Sequence, residues 1–119
     1  MNQYFFKNIL MAIKIDAFNK GVTPITSDKE PLQLLTINKQ KGDVVKQHTH
    51  PKKKRQTDSL QECLVVIKGR LKIQLYNLEG QLFETVEVRE GEAFITLNGG
   101  HEIEFLEDSQ VFEIKNGPH

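Results

Sequence analysis

The chain predicts an all-β domain, and three features of its 119 residues carry that prediction. Apolar residues recur in short runs, and no stretch of about a dozen residues sustains the 3.6-residue period of a helix. Turn-forming residues punctuate the runs: Lys41-Gly42, Gly69, Glu79-Gly80, Glu90-Gly91, Asn98-Gly99-Gly100 and Glu107-Asp108. Eight or nine short strands at this spacing pack as a sandwich or barrel. A chain of this length buries one core, so a single domain is expected to carry both fold and site.

Taken in order, the elements begin with "MNQYFFKNILMAIKIDAF". Its apolar stretch from Ile9 to Ile13 is cut by Lys7 and Lys14 to far less than the about 18 residues of a membrane span, and no small-residue cleavage site follows. Residues 1–10 are expected to be an added arm, either an oligomer contact through Tyr4, Phe5, Phe6, Ile9 and Leu10 or an unstructured extension. The domain proper is expected over residues 11–119, with Ile13 and Ile15 in a first strand. Further strands are predicted over 32–38, 43–50, 61–68, 70–77, 82–89, 92–97, 101–106 and 110–115. "CLVVI" is apolar on both faces, as in a strand covered on both sides, whereas "RLKIQLYN" alternates like a half-exposed one. "YNLEGQLF" is the clearest hairpin, and residues 51–60 form the only long polar loop, a length that often carries function.

Composition limits the functions available. Lys and Arg number 16, as do Asp and Glu, so no global field draws the protein to nucleic acid or an anionic membrane. The run Lys52, Lys53, Lys54, Arg55 lacks the interleaved aromatics of a nucleic-acid surface and reads as a solvated loop. One cysteine, Cys63, excludes an intrachain disulfide and fits a reducing cytosol, so a cytoplasmic protein is expected.

Chemistry gathers around four residues. His48 and His50 lie two apart on a predicted strand, so both leave the same face, as two ligands of one ion must. Glu62 shares parity with Leu64 and Val66, and His101 with Ile103 and Phe105, so both are expected on interior faces. A buried carboxylate there needs a cation or hydrogen-bond donors. Gln74, Tyr76 and Phe94 are further candidates for lining a cavity, while His119 is expected to be solvated.

These residues resemble the two motifs of the cupins, small jelly-roll barrels also described as double-stranded β-helices. Gly42, five residues, His48, Thr49 and His50 match the front of the first motif, and Glu62, six residues and Gly69 match its back. Eleven residues separate His50 from Glu62 where the family has three or four, which requires residues 51–60 to loop out. In the second motif Gly91 and Gly99 keep their spacing, but Leu97 replaces proline, His101 comes one residue early, and Phe105 stands where asparagine is expected. The resemblance spans residues 32–115. It implies a single-domain cupin barrel in which His48, His50, Glu62 and His101 hold one divalent transition metal. Three imidazoles and a carboxylate with open positions suit Fe, Mn, Ni or Co and permit Zn.

The resemblance also implies a small-molecule ligand, a sugar derivative or organic acid, to which the tail "FEIKNGPH" points through small cupins of sugar metabolism. Arg55 is the candidate to bind an anionic group of that ligand, since its fork engages such groups bidentately. A metal-dependent oxygenase or isomerase is one expectation. Another is a metal-free isomerase or epimerase of nucleotide-linked sugars, with His48 or His50 moving the proton. A third is a non-catalytic ligand-binding or dimerisation module, since cupins commonly pair through sheet edges into homodimers.

Overall fold

A computed structural model describes residues 1–118; His119 lies outside the described residues. Ten strands and no helix occur among these residues: β1 (Asn2–Phe6), β2 (Ile9–Ile15), β3 (Gly21–Pro24), β4 (Leu35–Asn38), β5 (Glu62–Lys68), β6 (Arg70–Tyr76), β7 (Leu82–Arg89), β8 (Ala93–Thr96), β9 (Gly100–Phe105) and β10 (Gln110–Lys115). They form a five-stranded sheet in the order β1-β2-β8-β5-β10, a three-stranded sheet β7-β6-β9 and a small ribbon β3-β4. Every pairing is antiparallel. The all-β class is therefore present, while the sheets do not close into a barrel. No helix of the described residues is long and apolar enough to cross a membrane.

Alternation builds the core. Ala12, Leu64, Val66 and Phe94 on one face of the five-stranded sheet meet Leu71, Ile73, Leu75, Val86 and Val88 of the three-stranded sheet. Ile13, Ile15, Cys63, Ile95 and Leu97 fill the opposite face, covered by Ile25, Leu32 and Leu34. β5 is thus covered on both sides from Cys63 to Val66, as an unbroken apolar run requires, while Ile67 at its end is open. β6 buries Leu71, Ile73 and Leu75 and leaves its even-numbered residues half-buried, the pattern of a sheet with one solvated face. Phe94 belongs to the core, and Gln74 and Tyr76 lie on the solvated face of β6, where the Tyr76 hydroxyl donates to Glu102 at 3.2 Å; none of the three lines a cavity with the site residues.

Residues 2–6 are an integral edge strand. A two-residue turn at Lys7 (φ 48°) and Asn8 (φ 65°) folds β1 back on β2 with Phe6 opposite Ile9, the tight connection that matches strand twist. Phe6 then meets Phe83 of the other sheet with ring centroids 5.3 Å apart, closing that side of the sandwich.

The predicted strand 43–50 is absent, and residues 43–61 run without regular structure. The reason is its composition. Parity puts Val44 with Lys46, His48 and His50 on one face and Val45 with Gln47 and Thr49 on the other. Neither face has more than one apolar side chain to bury, and Val44 and Val45 are 79% and 66% exposed. Ordering the segment would cost conformational entropy with little apolar burial to offset it. Of the predicted strand 32–38, only Leu35–Asn38 is extended, pairing with β3.

Candidate functional site

β5 starts at Glu62, whose side chain shares the inner face with Leu64 and Val66. Thr96 of β8 stands opposite Glu62 on one side and Lys115 of β10 on the other. From the facing sheet, His101 of β9 enters beside Leu75. Its Nε2 lies 3.6 Å from Glu62 Oε2, and both side chains are about four-fifths buried. His101 Nδ1 is 3.0 Å from the Thr96 hydroxyl. That contact orients the imidazole ring with Nε2 toward the Glu62 carboxyl.

Glu113 completes the cluster. Burial raises the Glu62 carboxyl above the ordinary range, and a hydrogen bond to Glu113 and that residue's charge push it the same way, against the pull of His101 and Lys115. Glu113 moves in the opposite direction, lowered first by its hydrogen bond with Glu62 and then by Lys115, whose ammonium is 3.6 Å away. Burial and the neighbouring Glu113 thus favour the protonated form of Glu62, while Lys115 favours the ionised form of Glu113. A polar cavity of about 240 Å³ opens here, lined by Glu62, Thr96 and His101 together with Ser59, Leu60 and Leu78.

The four residues expected to share an ion divide into two pairs. Glu62 and His101 meet between the sheets. His48 and His50 sit on the exposed segment with ring centroids 5.0 Å apart, edge to face, and His48 Nδ1 lies 2.9 Å from the Lys46 carbonyl. Among the described residues no three His, Cys, Asp or Glu side chains are gathered as metal ligands. The residues as arranged therefore do not fit one ion. Arg55 lines a separate cavity of about 310 Å³ with Thr57, Asp58 and Asn116.

The chain between these places is anchored. The Asn116 amide donates to the Ser59 carbonyl at 3.0 Å and to the Thr57 hydroxyl at 3.3 Å, while its carbonyl accepts from the Gln61 backbone N–H at 2.8 Å. Residues 57–61 are thereby held beside the Glu62 cavity. Sequence reasoning overlooked Glu113, Thr96 and Asn116. Glu113 carried a misleading signal, because the apolar residues of β10, Phe112 and Ile114, suggest the inward face, whereas Val111, Glu113 and Lys115 are the ones turned inward with Glu62.

Fold and site together define an antiparallel β-sandwich with a carboxyl–imidazole cluster between its sheets. The profile of a domain family of unknown function (DUF6016) matches residues 24–88, more than half the chain, and the chain belongs to that family. No curated protein and no solved structure matches it. The matched stretch contains His48, His50, Arg55 and Glu62; His101 and Glu113 lie beyond it.

Proposed function

We propose that the chain is a small cupin-like jelly roll that binds a polar metabolite, a sugar derivative or organic acid, at the Glu62–His101 end of its sandwich. One observation carries this reading: Glu62 and His101, from β5 and β9 of opposite sheets, face each other at 3.6 Å over a polar cavity. Glu62 keeps its proton to higher pH than an ordinary carboxyl, so it can donate to a ligand hydroxyl or carbonyl while His101 accepts. This arrangement favours Glu62 and His101 over His48 and His50 as the proton-moving pair of an isomerase-like reaction. Titrating the 15N-labelled chain with a panel of free sugars, nucleotide-linked sugars and 2-hydroxy acids tests it. Shifts confined to the surroundings of Glu62, Thr96 and His101, and lost in His101→Ala, are expected; shifts centred elsewhere, or unchanged in that variant, would sink the reading.

A second reading, in which a divalent transition metal is bound, rests on the unpaired edge of β9. Phe105 shares the inward parity of His101 yet is 59% exposed there. A strand laid antiparallel on that edge from residues 43–50 would set Val44 toward Phe105 and His48 and His50 toward His101, completing the jelly roll. Elemental analysis of the tag-free protein separates the two readings. About one equivalent of metal, lost in both Glu62→Gln and the His48→Ala/His50→Ala double variant, supports the second; metal retained in either variant rejects it.

A further inference from the structure

β10 is the outer strand of the five-stranded sheet, paired with β5 on one side only. Six extended residues without proline leave a row of backbone donors and acceptors that seek a partner. Inward charges commonly guard such an edge, but here they serve their own chain: Glu113 bonds Glu62, and Lys115 pairs with Glu113. The outward side chains are apolar and open, Phe112 at 64% and Ile114 at 48% exposure, with Ile67 beside them at 47%. Through Val65, which stands opposite Phe112, this surface runs into an apolar cleft of about 300 Å³ that includes Phe18, Leu35 and Ile37. These side chains leave roughly 600 Å² of apolar surface, the upper end of what a monomer exposes.

We propose that β10 pairs antiparallel with β10 of a second copy about a two-fold axis at Phe112, joining two five-stranded sheets into one. A two-fold contact must be self-complementary, and the strand meets that condition in this register. Phe112 faces Phe112, Ile114 faces Gln110, Val111 faces Glu113, and Lys115 faces Ser109, so no like charges oppose. Moving the axis to Glu113 would set carboxylate against carboxylate. An odd slip would turn the inner face of one strand toward the outer face of the other. Edge pairing would set Phe112 at the centre of the seam with Ile114 beside it on the outer face, covering apolar side chains that are 64% and 48% exposed in the single chain. Equal numbers of acidic and basic residues, 16 of each, leave no net repulsion between copies.

Sedimentation velocity and cysteine cross-linking of the full chain test the pairing. The wild type should sediment at twice the chain mass, and Phe112→Lys at the mass of one chain with its circular dichroism unchanged. Phe112→Cys should form a disulfide-linked dimer on mild oxidation, because directly opposed strand residues lie within disulfide reach, whereas Glu113→Cys should not. Cys63, buried among Ile13, Ile95 and Leu97, gives no background. A monomeric wild type overturns the proposal, as does cross-linking through Glu113→Cys in place of Phe112→Cys. Should Phe112→Lys fail to fold, the two cysteine variants alone decide.

Discussion

Replacing Gln61 by leucine should destabilise the protein by about 2–4 kcal/mol while leaving its volume nearly unchanged. Gln61 is 2% exposed and ties three parts of the chain together. Its carbonyl accepts from Leu32 N–H at 3.0 Å, and its amide donates to the Leu97 carbonyl at 3.3 Å and to Glu30 Oε2 at 2.6 Å. Leucine supplies no donor or acceptor. The Leu97 carbonyl is left in a buried place, a loss of about 1–3 kcal/mol. Leu32 N–H, partly buried, adds roughly half as much, and Glu30 can turn to water. Against a typical stability of roughly 5–15 kcal/mol, this is a large fraction. With an m-value of about 1–3 kcal/mol/M, the urea midpoint should fall by roughly 1–2 M with m unchanged. A loss below about 1 kcal/mol would show that water already satisfies these groups and that Gln61 is not what holds residues 25–34 on the sheet.

The raised Glu62 carboxyl makes the next prediction. A carboxyl raised above its unfolded value of 4.5 holds a proton that the unfolded chain has released, so it lowers stability as pH rises through the window between the two values. Glutamine supplies a permanent donor to Glu113, so Glu62→Gln should gain stability relative to wild type as pH climbs above 4.5 and then level off; thermal melts showing a pH-independent difference would refute the raised Glu62 carboxyl. Gly69 has φ +102°, and a Cβ there would collide with Ser109, whose Oγ accepts from Arg70 N–H. Gly80 has φ +79° but open space. Gly69→Ala should therefore lose more than Gly80→Ala, for which only the left-handed backbone penalty of about 1–2 kcal/mol applies; equal midpoints in denaturation would refute the contact argument. Burial pushes the Cys63 thiol up to about 11, so a disulfide reagent at mildly alkaline pH should label it only as the protein unfolds, and rapid stoichiometric labelling of the native chain would contradict its place in the core.

What the sequence made legible follows from where burial is two-sided or strictly alternating. "CLVVI" and "RLKIQLYN" each announce their faces, and from them the inward parity of Glu62 and, across the sandwich, of His101 follows. "DVVKQHTH" reads as a strand by alternation and β-branching, but those are necessary conditions only. Without a second apolar residue on either face, and with an eleven-residue connection to Glu62, nothing fixes it on the edge of β9. β1 was illegible for the opposite reason. "NQYFF" is too short to display a period, and its strand character comes from Phe6 meeting Phe83, a contact far away in sequence. Glu113 could not be assigned because β10 turns its charges inward and its aromatic outward, the reverse of the usual alternation.

That reversed polarity links the site to the proposed assembly. An inward Glu113 is useful only if something inside receives it, and Glu62 does so, with Lys115 balancing the pair. The parity that turns these charges inward necessarily turns Phe112 and Ile114 outward, onto a sheet face whose covering segment, from Ile25 to Leu34, packs elsewhere on that face. β9 carries the complementary arrangement: its free edge exposes the inward Phe105 and offers the site face itself. The edges of β9 and β10 therefore need different partners. The edge of β9 suits a strand polar toward His101 and apolar toward Phe105, which residues 43–50 are. The edge of β10 suits one apolar on its outer face and neutral in register, which is β10 again. Dimerisation through β10 would accordingly leave the cavity at Glu62 and His101 open. Ligand or metal binding there should then have the same affinity in the Phe112→Lys chain as in the wild type.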